Sequence, residues 1–384
     1  MRRYILFFAA ICAVPAFAAD PAPRAREIGI PFDGTPGPLN AITDVGGVTV
    51  GQVTLIRDLP DGHAVRTGVT AVVPRGPDSK DANVYAGYSP LNGNGEMTGT
   101  IWVEEGGLLE GPVMITNTHS IGAVHEGTIR WRVAQGGADY SGYFWSAPIV
   151  AETWDGYLND INGFHVHPEH AGAALDAARG GPVAEGSVGG GTGMICFEFK
   201  CGIGTSSRTV TVDDATYTVG VLVQSNFGIR SDLRIAGVPV GVHMPGNLVW
   251  SRADGEEHMQ GSIIAVVATD APLLPHQLKR IARRVTLGIG RLGDVGYNGS
   301  GDIFIAFSTA NRDAAMGKPD AVIRSVPNDS LDPLFAGTVE ATEEAIVNAL
   351  VAGRDMTGEA GHTVKGIDID RLRDLLRASG RLVE

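Results

Sequence analysis

The chain has 384 residues, a net charge of −13 at pH 7 and 3 cysteines. So acidic a protein repels phosphate backbones and anionic lipid heads, and no polybasic cluster or basic amphipathic helix offsets this, which sets nucleic acid and membrane surfaces aside as partners. The 53 glycines are about twice ordinary usage, without collagen-like period or low complexity, as in one large domain with many tight turns and close backbone approaches.

In chain order, the opening "MRRYILFFAAICAVPAFAAD" joins two arginines, an apolar run over 4–14 and the small-x-small pattern Ala16-Phe17-Ala18. This is the pattern of a secretory signal peptide over residues 1–18, too short to span a bilayer, so a soluble exported chain is expected, most simply in a bacterial periplasm. "GVTVGQVTLIR" from Gly47 and "GVTAVVP" from Gly68 are β-branched and alternating, and read as strands. "GPVMITNT" (111–118) reads as a buried strand, followed by a helix through Ile121, Val124, Ile129 and Val133. "HPEHAGAALDAARGG" predicts a helix with Pro168 in its first turn and Gly180-Gly181 as its stop.

"RTVTVDDATYTVGVLVQSN" predicts a hairpin around Asp213-Asp214. "SIIAVVAT" is a strand, and a helix from Pro275 carries Leu278, Ile281, Val285, Ile289 and Leu292 on one face. "DIFIAFSTA" is another strand, and helices near 334–353 and 368–379 follow. Buried strands flanked by amphipathic helices predict a layered α/β body.

Several segments invite chemistry. "VGGGTGMICFEFKCGIG" resembles a phosphate loop, but it lacks the following Lys-Ser/Thr and leads into a strand-like run, so tight backbone packing near a site is the better reading. His165, His167 and His170 in "FHVHPEH" suggest either a zinc site or a surface helix-entry loop, and the loop is favoured. His119, His125 and His243 read as structural histidines. Cys196 and Cys201 would lie about 17 Å apart on an extended strand, so a disulfide needs a sharp bend near Lys200, and two buried thiols are expected.

No G-x-S-x-G elbow or paired motif marks a serine triad or a papain-type cysteine. A serine can do without a histidine if its own amine is free. In "SRADGEEHMQGSIIAVVATDAPL", a polar acidic stretch turns into the most apolar strand of the protein at Gly261-Ser262. Attack of Ser262 on the Gly261 carbonyl would cut the chain and leave an α-amine with an ordinary pKa of about 7.7 to 8.0, a suitable base for the serine hydroxyl. Taken alone, the dipeptide reads better as an ordinary turn glycine before a strand.

The strings "GSIIAVVATDAPL", "NGSGDIFIAFSTAN", "VGGGTGMICFEFKCGIGTSSR", "VQSNFG", "AETWDGYLND" and "ITNTHSIGAVHEG", spread over nearly the whole mature chain, resemble the DmpA family of L-aminopeptidase/D-esterases and β-peptidyl aminopeptidases. The resemblance implies a four-layer αββα sandwich of the DmpA/ornithine acetyltransferase type, self-cleaved at Gly261-Ser262 into an α chain (19–261) and a β chain (262–384). It implies Ser262 as nucleophile, Ser300 and Asp302 as the pair that orients and assists it, and Asn226 as the oxyanion-stabilising amide. Glu152 matches the acid that receives the substrate ammonium, with Trp154 beside it in the substrate site. It further implies a tetramer of αβ units, no cofactor and no metal, and small peptide, amide or ester substrates with a free N-terminus.

Two positions depart from the family pattern. Asp302 stands where some members have Glu, and Trp154 where DmpA has a tyrosine, which bears on substrate preference more than on the reaction. Two other functions compete: an ornithine acetyltransferase-like acyl transferase, which would use threonine as nucleophile, and a non-catalytic periplasmic binding protein, which would leave the chain whole.

Overall fold

The computed structural model describes residues 23–76, 83–136, 145–249 and 261–383. The expected signal peptide and the polar stretch 251–260 lie outside the described residues.

Two sheets form the middle of the molecule. The first has four strands, in the order β1 (Thr49–Asp58), β2 (Ala64–Val73), β5 (Val113–Asn117), β6 (Ile149–Thr153). The second has six: β4 (Leu108–Leu109), β3 (Val84–Pro90), β12 (Ser300–Ser308), β11 (Gly261–Thr269), β10 (Ala215–Asn226) and β9 (Ile203–Val212). Helices α2 (Ile121–Ala134) and α3 (Pro168–Asp176) cover the outer face of the first sheet, and α4 (Pro275–Arg291) and α6 (Asp332–Ala352) that of the second. The chain also forms the short helices α1 (Thr100–Gly106) and α5 (Arg312–Ala315) and the terminal helix α7 (Ile369–Ala378). This is the four-layer αββα sandwich.

The strand sequences explain the layers. Along β11, Ile263, Ala265 and Val267 join the core beneath α4 and α6, while Ile264, Val266 and Ala268 join the core between the sheets. A strand buried on both faces has no polar side, which is why "SIIAVVAT" is continuously apolar. Val50, Val72, Val113, Ile115 and Ala151 meet it from the first sheet. β10 and β11 pair antiparallel, whereas α4 returns the chain so that β12 runs parallel to β11. The heads of β11 and β12 and the tail of β10 therefore lie side by side at one end of the sheet.

The hairpin at Asp213 forms as expected, with Asp213 at φ 51°, and the five expected residues are buried, Leu278, Ile281, Val285 and Ile289 in α4 and Leu292 as its C-cap. Two helices differ in detail. α3 stops at Asp176, before Gly180, because Arg179 exchanges backbone hydrogen bonds with Val50 at 3.0 and 3.1 Å and extends the chain along β1. α2 buries Val124, Gly127, Thr128 and Arg132 while Val133 is exposed, since close packing on α3 selects its small residues. The three histidines serve the helix-entry loop: His165 pairs with Asp160 at 2.9 Å, and the His167 N–H donates to His170 Nδ1 at 2.9 Å.

The cysteines are a correction. Cys196 and Cys201 form a disulfide with Cα atoms 5.4 Å apart. The bend falls at Phe197-Glu198, before Lys200. Both residues have positive φ, 48° and 60°, the geometry of a two-residue hairpin turn that asparagine and glycine usually mark. Nothing in the Phe-Glu pair signals it. The strands it joins are β7 (Ile195–Cys196) and β8 (Phe199–Lys200).

Candidate active site

Strand register brings the candidate residues together. Ser262 stands opposite Asn226 on β10 and Gly301 on β12, and Gly261 stands opposite Ser300. Ser262 is 4% exposed, and its hydroxyl donates to the Gly261 carbonyl at 2.7 Å. A cavity of about 500 Å³ opens on this point, lined among others by Gly261, Ser262, Glu152, Trp154 and Thr118. Its volume suits a small peptide.

Ser300 and Asp302 flank the strand head. The Ser300 hydroxyl donates to Asp302 Oδ1 at 2.6 Å, and the N–H of Ile263, the residue after Ser262, donates to the same oxygen at 3.2 Å. Asn92 Nδ2 donates to Asp302 Oδ2 at 3.2 Å. Asp302 thus reaches the strand of Ser262 through backbone. Burial raises its pKa, opposed by the hydrogen bonds of Ser300, Asn92 and Ile263. Gly301 has to be glycine, because a Cβ there would lie 2.4 Å from the Asn94 carbonyl oxygen.

Asn226 is held on both sides. Its Oδ1 accepts from the Ile195 N–H at 2.8 Å, and its Nδ2 donates to the Trp154 carbonyl at 2.8 Å. A primary amide has two N–H groups, so one can be offered to an oxyanion. The glycine run fits tight packing beside this site: a Cβ on Gly190 would lie 2.2 Å from Gln224 Oε1, two residues before Asn226.

Glu152 comes from the opposite sheet. It is 2% exposed; its Oε1 accepts from the Glu96 N–H at 3.0 Å, and its Oε2 accepts from the Thr118 hydroxyl. Burial raises its pKa, and the hydrogen bonds from Thr118 and Glu96 resist the shift. A carboxylate desolvated in this way is an efficient receptor for a small cation. The candidates therefore converge, with Ser262, Gly261, Glu152 and Trp154 on the cavity wall and Ser300, Asp302 and Asn226 supporting the strand head.

Some participants have no reading from sequence. Thr118 binds Glu152, and Asn92 and Asn94 in "NGNGE" pin the start of β12, Asn94 by donating to the Gly299 carbonyl at 2.9 Å. The dense Asn-Gly pattern after β3 is the available signal, since such runs mark specific turns. Asp155, next to Trp154, is 1% exposed. Burial pushes its pKa up to about 7, against hydrogen bonds from Thr67, Asn159 and Asn117. An acid with a raised folded pKa contributes stability at low pH that is lost as pH rises through that value. Asp155→Asn should therefore gain in Tm over the parent as pH goes from 5 to 8; a Tm difference that stays constant with pH would refute this titration.

Two facing sheets between helical layers, with a serine at the head of a central strand, define the class as that of the Ntn hydrolase fold. The model of "Peptidase family S58" matches residues 40–364. The beta-peptidyl aminopeptidase BapA of Sphingosinicella microcystinivorans is 51% identical over 398 residues, with 99% of each chain covered. The L-aminopeptidase D-Ala-esterase/amidase of Ochrobactrum anthropi, a prototype serine aminopeptidase with a variant Ntn hydrolase fold, superposes with a TM-score of 0.88 at 49% identity, covering 94% of this chain and 100% of that one. A Burkholderia β-aminopeptidase gives a TM-score of 0.83 at 47% identity, over 93% and 99% of the two chains. The chain belongs to peptidase family S58 and is a serine aminopeptidase.

Proposed function

We propose that this protein is an exported, self-cleaving aminopeptidase that removes N-terminal residues from small peptides, amides and esters through an acyl-enzyme, β-amino acid and D-amino acid derivatives among them. The observation that carries this reading is one cavity with Ser262 and the buried carboxylate of Glu152 on its wall. A nucleophile and an ammonium receptor in one small space fit an enzyme that acts beside a free amine.

In the maturation step, the Ser262 hydroxyl adds to the Gly261 carbonyl carbon, its proton passes to the Ser262 nitrogen as the peptide C–N bond breaks to leave an ester and a free α-amine, and water cleaves the ester to the Gly261 carboxylate and the Ser262 hydroxyl. Ser262 becomes the N-terminus of the chain 262–384, and 19–261 is the other chain. The Ser262 α-amine then takes the hydroxyl proton as Oγ attacks the substrate carbonyl, and passes it to the leaving amine or alcohol as the scissile bond breaks and the acyl-enzyme forms. Asn226 stabilises the oxyanion, Ser300 and Asp302 orient the strand head, and Glu152 holds the ammonium. Water releases the residue from Oγ. The leader pattern at 1–18 supports a periplasmic or secreted location, and the family resemblance supports a tetramer of αβ units without a cofactor.

Two measurements on the purified protein test this. Intact mass should give two chains that break between Gly261 and Ser262. p-Nitroanilides of β-alanine and of L- and D-alanine should be cleaved only while their amines are free. A single mature chain that still cleaves them, or equal cleavage of the N-acetylated anilides, would sink the reading.

A further inference from the structure

The loop closed by the Cys196–Cys201 disulfide wraps the residues around Asn226. The Gly202 carbonyl accepts from the Ser225 N–H at 2.9 Å, the Ile195 N–H donates to Asn226 Oδ1 at 2.8 Å, and the Phe197 N–H donates to the Phe227 carbonyl at 2.7 Å. Three consecutive residues, 225–227, are thus held by one eight-residue loop from Ile195 to Gly202. The loop's own conformation is demanding, because Phe197 and Glu198 both adopt left-handed backbone, which costs of order 1 kcal/mol or more per residue.

Several contacts offset that cost. Lys200 is fully buried, and its Nζ donates to the carbonyls of Met194 at 2.9 Å and Cys201 at 2.7 Å. The Arg230 guanidinium donates to the carbonyl oxygens of Phe197 and Glu198 and lies 3.3 Å from the Phe199 ring centroid. Cys201 also donates its N–H to the Met194 carbonyl at 3.0 Å. The disulfide is the covalent member of this set and adjoins Ile195, the donor to Asn226.

We infer that the Cys196–Cys201 disulfide is a positioning element for catalysis: it fixes the Ile195 N–H against Asn226 Oδ1 and so aims the amide's free N–H at the carbonyl oxygen of the substrate. This rests on Asn226 being the oxyanion donor. Without the cross-link the loop relaxes from its strained turn, the amide loses one of its two anchors, and it samples orientations that do not stabilise the transition state. Ground-state binding, set by Glu152 on the opposite sheet, is untouched. The effect therefore belongs in kcat.

A double-mutant cycle tests it in the full-length, processed enzyme. Cys196→Ala/Cys201→Ala should lower kcat on a p-nitroanilide about tenfold, with KM within about twofold, a part of the roughly 10²- to 10³-fold effect of losing an oxyanion donor. In an Asn226→Ala background the same pair of substitutions should change kcat less than about twofold, because the group it positions is gone. Unchanged kcat in the folded Cys variant overturns the inference, and so does a full tenfold loss in the Asn226→Ala background. Asn226→Ala with undiminished kcat instead overturns the oxyanion reading beneath it. If the Cys variant does not fold, the parent enzyme is treated with a dithiol, which takes the disulfide to two thiols as the reagent becomes a cyclic disulfide. With reduction verified by alkylation and mass, a kcat loss that reverses on reoxidation supports the inference, and a constant kcat overturns it.

Discussion

Ser262→Ala is expected to give one uncut chain from the mature N-terminus to Glu384, with kcat/KM on amino acid anilides reduced at least about 10³-fold. In the proposed function the hydroxyl oxygen attacks in both reactions, and Ser262 is the residue at the head of β11 that carries one. The variant should fold, since the exchange removes one oxygen whose bond is to the adjacent Gly261 carbonyl and leaves the apolar run beyond it intact. Mass spectrometry and steady-state kinetics on the same preparation decide it. An uncut variant with full activity would remove Ser262 from the reaction, and a cut one would remove it from maturation.

Glu152→Gln is expected to lower kcat/KM for free-amine substrates by about 30-fold to several thousand-fold, mostly through KM. Truncating one partner of a buried, hydrogen-bonded charge pair costs about 2–5 kcal/mol, and an interaction present in both ground and transition states acts on binding. The pH profile carries a second signature. Glu152 has to be ionised to receive the ammonium, and burial holds its pKa above the ordinary 4.5, so the parent's kcat/KM should fall on the acid side above that value. The variant should lose this limb and keep the fall that comes from protonation of the Ser262 α-amine.

Stability should move the other way. A carboxyl whose folded pKa lies above its unfolded value gives stability at low pH that is lost as pH rises through the folded value. A neutral amide in its place escapes this, so Glu152→Gln should melt higher than the parent at pH 7 and gain little below pH 4. A variant that is less active yet also less stable at pH 7 would mean that Glu152 is held for structure.

Much of the fold is legible in the chain. The apolar run of β11, the spacing of Leu278 through Leu292 and the turn at Asp213 depend on local periodicity, and each forms where that periodicity puts it. Less legible are α2, whose packing uses Gly127 and Thr128, and the end of α3, set by pairing of Arg179 with Val50. Those outcomes depend on neighbours distant in the chain. At the site, the resemblance to the DmpA family is what picks out Ser262, Asn226, Ser300, Asp302 and Glu152, whereas Thr118, Asn92 and Asp155 escape notice because threonine, asparagine and a lone acid carry no positional signal of their own.

By itself, the sequence determined which strands are buried on both faces and which dipeptide stands at the border of polar and apolar chain, because hydropathy and periodicity are local properties. Tertiary structure decided that Glu152 from one sheet and Ser262 from the other line one cavity, and that Asp302 meets the strand of Ser262 through the Ile263 N–H. It also decided that Cys196 and Cys201 meet. An extended segment would have kept them far apart, and only the left-handed pair Phe197-Glu198, held by Arg230 from another part of the chain, folds it back.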